Sequence, residues 1–355
     1  MNIRYTKLRA EMNRLGLDAV WITSCANHLY MSNFDNPDGW MLITKEKSYL
    51  FADFRYIEAA RAEAFPECTV IMPEGSRKQY LLPLIEENGV KVIGYEDAYL
   101  TCRAYNALAV DLPDCQFMPL GTVMEEIRSI KTEEEIEKMV KAQRIAEAAL
   151  ENLLKNINYN MTEVEVAAEL DYFIKKSGAK SGFGTIAVSG SASSVPHGVP
   201  RNVKLERGFL TMDFGAAVDG YRSDMTRTVV IGKADADMRR LYDTVLEAQL
   251  AALDAIAEGK KNADMDKVAR DIIDNAGYKG AFGHSLGHGV GLQIHELPGL
   301  SWAAGERTLR TNEIVTVEPG IYLEGKYGCR IEDMVVVQSG GNRNLTSAPK
   351  KMIEI

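Results

Sequence analysis

Residues 283–298 read GHSLGHGVGLQIHELP and hold three of the five histidines in the chain. On a helix, His284, His288 and His295 would share one face, the arrangement used by helical metal sites. Gly283, Gly287, Gly289 and Gly291 argue for an extended segment instead, because each interior glycine costs a helix roughly 1 kcal/mol relative to alanine. In an extended segment His284 and His288 point to the same side of a strand, and the missing side chains let other groups come close to the backbone. Histidines displayed this way need partners from elsewhere in the chain.

Two acidic hairpins are the candidates. In TMDFGAAVDGYRSDMTRTVVI (211–231), strand-like runs flank Asp219-Gly220, a strong turn signal. With those two residues as the loop, Val218 pairs with Tyr221 and Asp213 with Thr226. Asp224 then lies diagonally across from Asp213 on one face, about 7–8 Å away or less between Cβ atoms. In EIVTVEPGIYLEGKYGCRIEDMVVV (313–337), a loop centred near Gly325 sets Glu318 against Glu332 among apolar neighbours such as Val315, Val317, Ile321, Ile331 and Val335. Solvated surface carboxylates, with a bulged register in the second hairpin, are the competing account. Buried, such carboxylates require a cation. Asp213, Asp224, Glu318, Glu332 and one histidine make an oxygen-rich set that two divalent ions about 3.5–4 Å apart, bridged by two of the carboxylates, would satisfy. That chemistry is hydrolysis.

The rest of the chain must position these groups. At 355 residues it is long enough for two domains. Its 46% hydrophobic and 26% charged residues are ordinary for a globular protein. A net charge of -9 and the lack of a lysine/arginine run make nucleic acid a poor partner. The first residues show no h-region or cleavage site, and nowhere do 18 apolar residues run together, so no membrane partner and a cytoplasmic location are expected. Five scattered cysteines with no C-x-x-C pair read as reduced thiols rather than a metal or catalytic site.

Residues 1–122 alternate helical and strand-like runs, from TKLRAEMNRLGL and DAVWIT to VKVIGYE and QFMPL, an α/β layer pattern without a nucleotide-binding glycine motif. The boundary is placed near Thr122, with a second domain over 123–355. A charged amphipathic segment runs from near Glu125 to about Ile157; in it Thr132 and Glu135 make a capping box, and Ile136, Met139, Val140, Gln143 and Ala146 follow at helical spacing. A second capping box at Thr162 and Glu165 opens a helix that ends at Gly178, and further helices run over 237–258 and 264–277. LDYFIKKSGAKSGFG (170–184) and ARDIIDNAGYKGAFG (269–283) resemble each other at an offset of 99 residues. If the likeness is a true repeat, two similar halves face one another with a site between them.

With these motifs in hand, the chain resembles the pita-bread metallopeptidases, in the proline-peptidase branch containing prolidase (Xaa-Pro dipeptidase) and aminopeptidase P. The carrying motifs are SVPHG (194–198), MDFGA with YRSDMTRT, GHSLGHGVGLQIHELP, VEPGIY and RIED (330–333), in that order; DFRYIEAA (53–60) resembles the family's N-terminal domain more loosely. The resemblance implies an α/β (α+β) chain: a creatinase-like α/β domain serving substrate gating and oligomerisation, then a pita-bread catalytic domain of two pseudo-symmetric halves. It implies that Asp213 binds one metal, that His288 and Glu318 bind the other, and that Asp224 and Glu332 bridge both. It places His197, His284, His295 and Arg330 at the substrate, with Glu318 as proton shuttle. Whether His284 and His295 stabilise the reacting carbonyl or hold the substrate carboxylate stays open. Manganese is the expected ion, with cobalt, zinc or iron as alternatives. Substrates are proline-containing dipeptides or short peptides, cleaved by a hydroxide generated between the two ions, and the assembly is a homodimer.

Gln293, where the family often has an acidic residue, and Cys329, where an aliphatic residue is common, depart from the pattern at non-ligand positions. His28 lies outside every motif and reads as an ordinary residue of the first domain. Aminopeptidase P action on longer Xaa-Pro peptides is the nearest rival reading. Methionine aminopeptidase fits less well, because it needs neither the first domain nor SVPHG. A non-catalytic protein-binding member and metal-free C–N hydrolysis are disfavoured because every ligand position is filled.

Overall fold

The structure is a computed structural model that describes residues 2–355. By its internal packing the chain divides into a unit up to Arg128 and a unit from Ser129 to Ile355. The boundary expected near Thr122 lies one short helix earlier.

In the N-terminal unit six strands form one sheet: β1 (Ala19–Ile22), β2 (Trp40–Thr44), β3 (Ser48–Phe51), β4 (Cys68–Ile71), β5 (Val92–Tyr95) and β6 (Gln116–Pro119), in the order β4-β3-β2-β1-β5-β6. The β1–β2 and β2–β3 pairs are antiparallel, and β3–β4, β1–β5 and β5–β6 are parallel. Six helices accompany it: α1 (Ile3–Leu15), α2 (Cys25–Ser32), α3 (Ile57–Glu63), α4 (Arg77–Glu87), α5 (Cys102–Asp111) and α6 (Val123–Ser129). Gly16 takes the left-handed conformation that closes α1 before β1. The runs expected as strands are strands; α2 and α5 are additions.

The amphipathic segment from Glu125 to Ile157 forms α6 and α7 (Glu133–Asn156), and α7 starts at the expected capping box of Thr132 and Glu135. α8 (Glu163–Lys176) opens with the capping box at Thr162, and Gly178 follows in the left-handed conformation. α9 (Ala236–Ala255) and α10 (Asn262–Ile273) complete the helices, the latter running into a π-helical turn at Asp274–Tyr278.

The strands of this unit are β7 (Lys180–Ser181), β8 (Ile186–Ser189), β9 (Gly208–Phe214), β10 (Ala216–Val218), β11 (Tyr221–Arg222), β12 (Met225–Ile231), β13 (Gly287–Gly289), β14 (Glu296–Leu300), β15 (Ile314–Val317), β16 (Gly320–Leu323), β17 (Tyr327–Arg330), β18 (Asp333–Gln338) and β19 (Gly341–Asn344). They sort into two halves of similar build. α7 and α8 share a core with β9 and β12 through Leu150, Leu170, Ile174, Leu210 and Met212. α9 and α10 share a second core with β15 and β18 through Leu241, Ile273, Val315 and Val335. Each such side chain, fully buried, stabilises its half by roughly 1.5–3 kcal/mol. The residues aligned at the 99-residue offset occupy equivalent places: Ile174 and Ile273 are both buried at helix ends, and Gly178 and Gly277 both take positive φ just beyond.

His28, on α2, is fully buried; its Nδ1 donates to the Phe34 carbonyl at 3.0 Å. Burial lowers its pKa, against the weaker pull of that bond, Asp35 and Glu96. As pH falls through the ordinary histidine range the unfolded chain takes a proton that the folded one refuses, so stability is lost toward acid. The melting temperature should therefore fall between pH 8 and pH 5.5, and His28→Gln should flatten that slope. An unchanged slope in the variant would place the acid sensitivity elsewhere.

Candidate active site

The first hairpin folds with the register its turn dictates. Asp219 and Gly220 both have positive φ, Val218 pairs with Tyr221, and Thr226 pairs with Asp213. Asp224 is out of the ladder opposite Gly215. A Cβ on Gly215 would stand 1.9 Å from the Ser223 carbonyl oxygen, so only glycine lets the strands close where the two aspartates converge.

The second hairpin keeps one register on both sides of an interruption: Val317 pairs with Asp333, and Gly320 with Arg330. Glu318 and Glu332 face each other in the gap. Their backbone N–H groups pair outside the hairpin, Glu318 with the Leu286 carbonyl at 2.8 Å and Glu332 with the Thr226 carbonyl at 3.2 Å. These two bonds stitch both hairpins and the histidine segment together.

That segment is extended, as its glycines require. Added Cβ atoms on Gly287 and Gly289 would lie 2.0 Å from the Thr316 carbonyl oxygen and 2.4 Å from Leu297 backbone. The strand is shorter than expected. β13 contains His288 alone of the three histidines, whereas His284 lies in a bend before it and His295 in one after it.

All nine residues expected at the site line one cavity of about 510 Å³: His197, Asp213, Asp224, His284, His288, His295, Glu318, Arg330 and Glu332. Asp224, His288 and Glu332 can offer ligand atoms within 4.8 Å of one another. His288 Nδ1 donates to its neighbour's carbonyl, Gly289, at 3.1 Å, which turns Nε2 toward Glu318 at 3.3 Å and Asp224 at 3.6 Å. Burial, reinforced by the other carboxylates, holds Asp224 and Glu332 well above the usual carboxylate range. Burial also raises Asp213, with Arg330 pulling the other way. Glu318 is depressed, burial being outweighed by its bond to His288, whose own pKa rises despite burial.

Asp213 Oδ1 is buried without a hydrogen-bond partner. An orphaned carboxylate oxygen, three carboxyls raised by burial and by their neighbours' negative charge, and an imidazole nitrogen aimed among them fit divalent cations. His284 and His295 are lowered, chiefly by burial, and are therefore neutral near pH 7.

Several residues of the site were not singled out from sequence. Tyr322 donates its hydroxyl to His284 Nε2 at 2.9 Å and accepts from Arg330 Nη1 at 2.8 Å. Thr226 accepts from Arg330 Nε and donates to Glu332 at 2.7 Å, and Arg330 Nη2 reaches Asp213 at 2.7 Å. Strand alternation from Glu318 through Gly320 to Tyr322 carried the signal for the tyrosine. Lys131 and Glu296, both buried, pair at 2.9 Å beside His295, a contact of long sequence separation with no local signature. Cys329 is buried and its thiol is pushed up to about 12, so it is inert.

Among the described residues no helix is long and apolar enough to cross a membrane. The sequence profile of the creatinase/prolidase N-terminal domain matches residues 4–130. Among curated relatives, the chain is 42% identical to an Xaa-Pro dipeptidase of Pyrococcus furiosus, over 99% of this chain and 100% of that one. Among solved structures it is similar to an Xaa-Pro dipeptidase from Bacillus anthracis (38% identity, TM-score 0.95) and to an X-Pro aminopeptidase from Thermotoga maritima (34% identity, TM-score 0.92), each over 99% of both chains. The profile of metallopeptidase family M24 matches residues 137–339, the stretch that carries the cavity residues from His197 to Glu332, and the chain belongs to that family.

Proposed function

We propose that this chain hydrolyses Xaa-Pro peptide bonds, with dipeptides as its preferred substrates. The observation that carries the reading is the convergence of Asp213, Asp224, His288, Glu318 and Glu332 in one cavity that also holds His197, His284, His295 and Arg330. The names of the similar proteins, Xaa-Pro dipeptidase above all, support the substrate class. Two divalent ions, manganese by preference, would be held there: one by Asp213, the other by His288 and Glu318, with Asp224 and Glu332 shared between the two. When bound, such ions supply Lewis acidity at the scissile carbonyl and lower the pKa of an attacking water.

The protein's own groups do the rest. Glu318 takes the proton of that water and delivers it to the departing nitrogen. This step matters for proline, whose tertiary amide has no N–H of its own. Neutral His284 and His295, with His197 and Arg330, bind the substrate's carbonyl and carboxylate ends by hydrogen bonds that are strongest where charge builds up. Arg330 arrives already fixed by Asp213, Thr226 and Tyr322, so little freedom is lost when substrate binds. The N-terminal unit serves gating and oligomerisation in a cytoplasmic homodimer. An X-Pro aminopeptidase among the similar structures favours, as a second reading, action on longer peptides.

Chelator-treated protein should be inactive and recover with manganese or cobalt, and Asp224→Asn should lose both ions and activity together. Full activity in protein that elemental analysis finds metal-free, or two tightly held ions in the variant, would defeat the ligand assignment.

Glu318→Gln should leave the fold intact and lower kcat by ~10²-fold or more, the usual scale for a lost general acid–base group. Metal content is measured alongside, since the amide is also a poorer ligand. A fully loaded variant with near-normal kcat would remove Glu318 from the proton path.

Ala-Pro or Met-Pro should be cleaved with higher kcat/KM than Ala-Ala or an Ala-Pro-extended pentapeptide. Preference for the pentapeptide would select the aminopeptidase reading, and preference for Met-Ala peptides would end the proline assignment.

A further inference from the structure

The loop that carries His284 belongs to no strand until Gly287, so ladder bonds do not fix it. Besides the bonds from the Glu318 N–H to the Leu286 carbonyl and from the Tyr322 N–H to the Ala281 carbonyl, its backbone is held by two side chains one helical turn apart on α10. Arg270 Nη1 donates to the Phe282 carbonyl at 2.6 Å and Nη2 to the His284 carbonyl at 2.9 Å. The same guanidinium grips Asp266 through Nε at 2.8 Å and Nη2 at 3.0 Å. Asp266, itself buried, accepts the Leu286 N–H at 2.9 Å. Alternate residues 282, 284 and 286 are thus tied to one ion pair. The guanidinium faces are covered by the rings of Phe282 at 4.3 Å and Trp302 at 4.6 Å. That contact accounts for a tryptophan that is otherwise 57% exposed.

We propose that the Asp266–Arg270 pair, clamped between Phe282 and Trp302, is a brace that sets the position of His284, and that Arg270 is thereby a positioning residue of the reaction. Its kinetic consequence rests on the peptidase function proposed above; its structural consequence does not. Arginine is required because one planar fork must reach two carbonyls and a carboxylate at once, which the single ammonium of lysine cannot do. A loosened loop would let the His284 ring drift from Tyr322, and misplacement on the scale of 1 Å in a catalytic constellation costs rate steeply.

In metal-loaded enzyme, Arg270→Met should lower kcat/KM for Ala-Pro by ~10–100-fold with unchanged metal content, and Arg270→Lys should fall nearly as far. In a His284→Ala background, Arg270→Met should cost less than ~2-fold, because residues that act through one another are not additive. Additive losses would overturn the brace. Amide hydrogen exchange gives a readout that needs no substrate. Residues 282–286 should exchange ~10-fold faster in Arg270→Met while β15 is unaltered, and unaltered exchange in the loop would also overturn the proposal. Faster loop exchange in a chain that cleaves no Xaa-Pro peptide would uphold the brace and locate the failure in the proposed function. Should Arg270→Met not fold, Trp302→Ala, which removes only a covering ring, should produce the same two changes at smaller size, and their absence counts against the proposal equally.

Discussion

Four carboxylates that cannot all be charged without a cation are the constraint around which the catalytic unit is built. Asp213, Asp224, Glu318 and Glu332 all border one cavity, and each feels the negative charge of others among them. Two positive groups stand against them, Arg330 beside Asp213 and His288 beside Glu318. Those two settle Glu318 but leave Asp224 and Glu332 raised. Bringing like charges together in a buried place costs stability. The fold bears that cost in the metal-free state, and divalent ions remove it by inverting the local charge balance.

Holding such a set open requires rigidity on every side, and the scaffold provides it by redundancy. Each hairpin brings two carboxylates to one face through strand alternation, and each comes from a different half of the unit with its own core. Between them, Glu332 is tied to Thr226 through both backbone and side chain. Behind it, the buried pair Arg227 and Asp333 joins the same two strands at 2.8 Å. Neither half can shift without breaking bonds shared with the other, so repulsion among the acids is met by packing rather than by relaxation.

The sequence made the acidic constellation legible because hairpin register is a local property. Asp219-Gly220 and Gly325 fix turns, and counting outward from each places Asp213 against Thr226 and Glu318 against Glu332. What could not be read locally was where the ladders stop. The expected strand through His284 and His288 is only three residues long, Gly287–Gly289, with neighbours packed closely against its glycines on both sides. The capping box at Thr132 and Glu135, a local signal, does start α7. Lys131 with Glu296, and Arg270 with the His284 loop, join residues far apart in sequence or across a turn that no periodicity encodes.

The three histidines of one sixteen-residue stretch end with different chemistry because each meets a different neighbour. His288 faces Glu318 and Asp224, and its bond to Glu318, with the charge of Glu318 and of Asp213, outweighs burial and raises its pKa. His284 faces the Tyr322 hydroxyl and His295 faces the edge of His288, with ring centroids 4.3 Å apart; neither gains a carboxylate bond, so burial prevails and both are lowered. A neutral imidazole beside a cation site would neither compete with the metal for carboxylates nor add positive charge that repels it. One short loop can therefore contribute a ligand and two neutral hydrogen-bonding groups to the same cavity, provided its backbone is fixed closely enough to keep the three environments apart.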